Sequence, residues 1–166
     1  MKIVTAMDSF KGSMTSMEAG NAVAEGVKRV FPAAEVVVRP LADGGEGTVE
    51  ALTGGVRGIR NEVVVTGPLG SPVTCPYGIL PDTMTAVIEM SGAAGITLVS
   101  EKELNPLEAT TYGVGEVIRD AIGKGCRRFL LGIGGSATND GGVGMLQALG
   151  FGFLDGEGKT GCTGIL

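Results

Sequence analysis

The sequence predicts an α/β fold, a mostly parallel sheet flanked by helices, with a β-rich antiparallel insertion or small second lobe around residues 57–91. Three observations predict it. Short apolar runs alternate with helical periods, glycines cluster where those runs end, and the stretch from Arg57 to Ser91 carries strand signals with no helix between them. The parallel lobe is expected over 1–56 and 92–166.

Residues 2–7 form a short apolar run closed by Asp8 and Ser13, the pattern of a buried strand running into a loop. From Ser16 to Phe31, Met17, Val23, Val27 and Val30 recur at helical spacing, and Pro32 stops the helix. Glu35 to Leu41 reads as a second strand, Ala42 to Gly47 as a glycine loop and Thr48 to Leu52 as a short helix. Strand, helix, strand in this order argues for parallel pairing. Ile59–Thr66, Val73–Leu80 and Thr85–Met90 follow, punctuated by Gly67-Pro68 and Leu80-Pro81-Asp82, and are expected to pair antiparallel. The earlier rhythm then resumes with a helix over 111–123, a strand over 128–133 and a helix near 142–149. Phe151 to Leu154 is expected to add a last strand, and the glycine-rich tail after it neither caps a helix nor completes a βα unit, as in a fragment.

Composition excludes several chemistries. The 166 residues include no His, so Ser-His-Asp and Cys-His nucleophile systems and His-ligated zinc are absent, and proton transfer falls to carboxylates or Lys. The three cysteines are far apart and form no C-x-x-C pair, which points to a reducing, cytoplasmic setting. A net charge of −5 without a basic stripe argues against nucleic acid, and no run approaches a membrane span of about 20 apolar residues.

Glycine, at 30 of 166 residues, concentrates in loops that also carry an acid. Three such loops follow predicted strands: Asp8-Ser9-Phe10-Lys11-Gly12-Ser13, Ala42-Asp43-Gly44-Gly45-Glu46-Gly47-Thr48, and Gly132 through Gly142 with Ser136, Thr138, Asn139 and Asp140. In an open α/β sheet the ligand site lies at the carboxyl ends of strands, and glycine turns let backbone N–H groups approach an anion. A carboxylate beside such a turn repels phosphate unless a divalent cation intervenes or the carboxylate serves as base, so the combination suggests phosphoryl transfer. Taken singly, each element reads as an ordinary turn, and Gly134-Gly135-Ser136 as backbone packing. The three together, expected on one side of one sheet, point to a shared site.

Two other motifs compete. Gly158-Lys159-Thr160 imitates the end of a phosphate-binding loop, but Phe153 stands where its first glycine belongs. Gly132-x-Gly134-x-x-Ala137 with Asp155 offers a dinucleotide-binding oxidoreductase as the alternative reading, weakened by the long loop before the next helix.

The Asp8 and Asp43 loops, Thr111-Tyr112-Gly113-Val114-Gly115-Glu116 and the Gly132–Gly142 loop together resemble the bacterial glycerate kinase family, type I and glycerate 2-kinase-like. The resemblance covers nearly the whole chain but only the N-terminal portion of the family's proteins, which are more than twice as long, so the family's C-terminal half is expected to be absent and an inactive remnant is a further alternative. Met7 stands where many members have Pro. The resemblance implies transfer of the γ-phosphoryl group of ATP to a hydroxyl of D-glycerate, with Mg²⁺, in a cleft between two α/β lobes. It implies Lys11, Asp43 and Asp140 as catalytic residues, with Asp43 or Asp140 orienting metal or accepting the hydroxyl proton. Asp8, Ser9, Gly44, Gly45, Glu46, Gly134, Gly135, Ser136, Thr138 and Asn139 are the implied substrate and phosphate contacts.

Overall fold

The computed structural model describes residues 1–10, 13–54 and 58–158. It is a mixed α/β structure with parallel and antiparallel pairing, in the element order β1 (Lys2–Met7), α1 (Ser16–Val30), β2 (Glu35–Pro40), α2 (Thr48–Thr53), β3 (Ile59–Thr66), β4 (Pro72–Leu80), β5 (Thr85–Glu89), α3 (Ser91–Ala94), α4 (Tyr112–Gly123), β6 (Arg128–Gly132) and α5 (Val143–Ala148). Short 3₁₀ turns lie between α3 and α4. No described helix is long and apolar enough to cross a membrane.

The expected β1–α1–β2 unit forms, with β1 and β2 parallel from Lys2 opposite Glu35 to Met7 opposite Pro40. A capping box starts α1: the Thr15 hydroxyl accepts from the Glu18 N–H, and the Glu18 carboxylate accepts from the Thr15 N–H at 2.8 Å. The buried face of α1 is not the valine stripe but Ser16, Ala19 and Gly20. A Cβ on Gly20 would sit 2.5 Å from Val38, so the helix lies on β2 at a distance only a small residue permits, and Val30 stays 70% exposed.

A four-stranded sheet of order β3-β4-β5-β6 carries the core. β3 and β4 pair antiparallel, as do β4 and β5, whereas β5 and β6 pair parallel with Glu89 opposite Gly132. β6 therefore pairs with β5 and does not extend the β1–β2 sheet. Four of the five β5 residues are buried, and a strand of that kind needs a hydrogen-bonded neighbour on both edges. The segment 151–154 forms no extended strand.

Tyr77, Ile88, Val114, Val117, Cys75 and Cys126 are fully buried between this sheet and α4. Burial pushes the Cys75 thiol up to about 12, which keeps it protonated and unreactive. The buried Tyr77 hydroxyl is satisfied: it donates to Asp120, and Lys124 donates to both, at 2.9 Å to Tyr77 and 2.6 Å to Asp120. A face of the same sheet opens onto a groove of about 460 Å³ walled by Ile118, Phe129, Leu131, Leu149 and Phe151.

Helices α4 and α5 touch through Gly115, where a Cβ would lie 2.3 Å from the Met145 carbonyl oxygen and 2.7 Å from Ala148 Cβ. We expect Gly115→Ala to push α5 off α4 and to lower unfolding stability by about 2 kcal/mol, read by urea denaturation. An unchanged midpoint would show that the two helices can separate at no cost.

Candidate functional site

The carboxyl ends of β1, β2, β5 and β6 converge although they belong to two sheets. The turn after β2 and the turn after β6 lie backbone against backbone. The Gly134 N–H donates to the Gly44 carbonyl at 2.9 Å. A Cβ on Gly132 would fall 2.5 Å from that same carbonyl oxygen, and one on Gly134 would fall 2.8 Å from the Gly45 Cα. These glycines are required by close approach, and Gly44 also by its φ of 96°. The end of β1 and the start of α1 join them: the Leu41 N–H donates to the Met7 carbonyl, and the Ser16 hydroxyl donates to the Leu41 carbonyl at 2.8 Å.

Two cavities open along this junction. The larger, about 470 Å³, is lined by Ser9, Ser16, Glu46, Val49, Arg60 and Glu89 among others. The smaller, about 270 Å³, is lined by Glu46, Glu89, Ser91, Gly92 and Gly135. Glu46, Pro76 and Glu89 line both, so the cavities are neighbours with a shared wall.

Ser9, Glu46 and Gly135, all expected from sequence, line these cavities. Asp8 and Asp43 are exposed at the ends of β1 and β2, where Asp8 accepts from the Ser9 N–H at 2.7 Å and Asp43 from the Gly45 N–H at 3.2 Å. Lys11 lies outside the described residues. Ser136 and Thr138 form a local turn, with the Thr138 N–H donating to the Ser136 hydroxyl at 2.9 Å, and Asn139 is exposed. The loop is pinned on its other side by the Ala137 N–H donating to Ala94 and the Ile96 N–H donating to Gly135. Much of the glycine-loop N–H capacity is therefore used within the protein: Gly45 donates to Asp43 and Gly134 to Gly44.

Asp140 lines neither cavity. Its Oδ2 accepts the N–H and hydroxyl of Thr111, both at 2.8 Å, and the N–H of Gly144 at 3.1 Å, while Oδ1 accepts the N–H of Gly142 at 3.0 Å. Thr111 precedes α4, and Gly142 and Gly144 begin α5, so one carboxylate ties two helix starts together. Burial alone would raise its pKa, but these donors hold it below the usual carboxylate range.

Glu89 is the site residue that sequence reasoning missed. At the end of β5 its Oε1 accepts the Val49 N–H at 2.6 Å. Burial pushes its pKa up and Glu46 adds to the push, against the N–H groups of Val49, Gly47 and Thr48. The available signal was its place as a carboxylate ending an apolar strand; no glycine loop marks it. Among the described residues no three His, Cys, Asp or Glu side chains gather as a metal-holding group. The dinucleotide alternative finds no support here, since only the six-residue α5 follows the β6 loop and Asp155 ends no strand.

A sequence model of the glycerate kinase family matches residues 3–164. The chain is 53% identical over 159 residues to a glycerate kinase of Haemophilus influenzae, 52% to one of Bacillus subtilis and 48% to a glycerate 2-kinase of Escherichia coli; each alignment covers 96% of this chain and 42% of the relative. A solved structure of a glycerate kinase 2 from Salmonella typhimurium LT2 superposes with a TM-score of 0.79 at 46% identity, over 96% of this chain and 43% of that one. The chain thus spans less than half the length of these relatives.

A lowered folded pKa makes Asp140 stabilising above the ordinary carboxylate pKa, and that contribution disappears as pH falls from there through the lowered value. We expect Asp140→Asn to cost about 2 kcal/mol near neutral pH, because with its oxygen turned toward Thr111 and Gly144 its amide nitrogen faces the Gly142 N–H and cannot accept from it, and to flatten the acid limb of thermal stability. An acid limb as steep as that of the unsubstituted protein would remove Asp140 from this role.

Proposed function

The chain belongs to the glycerate kinase family, and from that premise we propose that the protein containing it transfers the γ-phosphoryl group of ATP to a hydroxyl of D-glycerate, in the cytoplasm and with Mg²⁺. The observation that carries the reading is the junction of the Asp8, Asp43 and Gly132–Gly135 turns around two adjoining cavities. Small polar acids and a polyphosphate need such a place, where chain ends from several strands converge.

The donor set suits a polyanion only together with a cation. Asp8, Asp43 and Glu46 are exposed acids at this junction, and a polyphosphate approaches them when a divalent ion sits between. Asp43 is the residue we assign to hold Mg²⁺, which would supply neutralisation of the phosphate charge. Ser9, Glu46 and Gly135 line the walls within which substrate and phosphates would lie, and Gly44, Gly45 and Gly134 hold the turns that carry them. Lys11 is assigned to a phosphate, as its place in the Asp8 loop suggests. Asp140, Thr138 and Ser136 act one step away, holding the β6 loop and the two helices behind it, and Asn139 stands exposed on the same loop. A loose phosphoryl-transfer transition state asks for positioning and charge neutralisation more than for a nucleophilic side chain, which suits a chain without His. The turns after β2 and β6 come from two different sheets, and β3 to β5 add Arg60, Pro76 and Glu89 to the cavity walls.

The test is ADP release by the whole protein with ATP, Mg²⁺ and D-glycerate. We expect glycerate-dependent turnover that Asp43→Asn and Lys11→Ala each reduce by about 100-fold or more in kcat/KM. Turnover of another hydroxy acid or a sugar, with glycerate ignored, would overturn the substrate assignment.

A further inference from the structure

Glu89 faces the start of α2, where its Oε1 accepts the Val49 N–H and the N–H groups of Gly47 and Thr48 also favour its charge, although burial outweighs them. Its side chain also lines both cavities, beside the turn in which Gly44 and Gly45 meet the β6 loop.

We propose that Glu89 is a catalytic residue of this site, the carboxylate that accepts the proton of the glycerate hydroxyl during phosphoryl transfer. The inference rests on the kinase reading given above. In the step, the hydroxyl oxygen forms a bond to the γ-phosphorus, the bond from that phosphorus to the bridging oxygen of ADP breaks, and its electron pair leaves with ADP. The hydroxyl proton passes to Glu89, which later releases it to water.

Three observations converge on this residue. Strand β5 delivers it to the carboxyl end of the sheet, opposite Gly132 of β6, on the wall common to two spaces large enough to divide a small acid from a phosphate chain. Asp140, the rival acceptor, already receives four donors and lines neither cavity. A proton acceptor works best with a pKa moved toward the operating pH, and burial moves Glu89 in that direction. The charged groups on its surroundings are Glu46 on the turn, Glu50 on α2 and Arg60 on β3, all lining the larger cavity, with the thiol of Cys75 on β4 protonated behind it.

A raised folded pKa also fixes the sign of a stability effect. Stability falls as pH rises from the ordinary carboxylate value through the raised one, so the charge costs the fold something at neutral pH. A residue kept for structure would show the opposite.

The experiment compares Glu89→Gln and Glu89→Asp with the unsubstituted whole protein in kcat, KM for glycerate, the pH profile of kcat and thermal stability. We expect Glu89→Gln to lose about 100-fold or more in kcat with KM for glycerate little changed, to lose the acid limb of its pH profile, and to melt at or above the unsubstituted protein near neutral pH. Glu89→Asp restores part of kcat and the acid limb. Glycerate turnover by the unsubstituted protein with Glu89→Gln within about threefold of it overturns the role of Glu89 alone. A Glu89→Gln protein that melts well below the unsubstituted one also overturns it, by showing that the charge serves the fold. An unsubstituted protein that ignores glycerate overturns the kinase reading first, and this assignment with it.

Discussion

The contact between the Gly44–Gly45 turn and the Gly132–Gly134 turn holds the rest of the site in place. Two polypeptide backbones meet there without side chains between them, close enough that a Cβ on Gly132 would fall 2.5 Å from a carbonyl oxygen. The strands on either side belong to different sheets, β2 to the pair and β6 to the four-stranded sheet. This glycine contact, with the hydrogen bond from Gly134 to Gly44, brings the acids of one sheet beside the cavity walls of the other. A methyl group on Gly132 or Gly134 would act on both sides at once.

Around that contact the carboxylates divide by environment. Asp140 receives donors from the starts of two helices and stays charged to lower pH than an ordinary carboxylate, as a structural anchor does. Glu89 is half-buried beside another carboxylate and has fewer donors, so it keeps its proton to higher pH. Residues of the same chemical class thus take opposite roles because the number of N–H groups aimed at each one differs. This difference is set by where helices α2, α4 and α5 begin, so the backbone, and not the choice of acid, distributes the work.

Much of the local structure was legible in the sequence. Pro32 ends the first helix, and the apolar runs expected over 59–66 and 85–90 became β3 and β5. The valines of α1 misled, since the face with Ala19 and Gly20 packs inward and Val30 stays exposed. Hydrophobic period identifies a helix but does not choose its contact face when close backbone approach brings more burial than large side chains do. The glycine-and-acid loops were found as a class, although several of their N–H groups turned out to bond within the protein, and Glu89 escaped notice because it follows a strand with no glycine to announce it.

What the sequence determined by itself is the set of elements, the positions of the turns and the family to which the chain belongs, because periodicity, breakers and motif spacing are properties of neighbours along the chain. Tertiary structure alone decided that β6 pairs with β5, that Gly132 and Gly134 serve the Gly44 turn, that Asp140 is enclosed by donors and that Glu89 looks into two cavities. Each of those facts joins residues about 40 or more positions apart, or depends on which donors close around a side chain. Such information exists only once burial has selected one arrangement of the sheets.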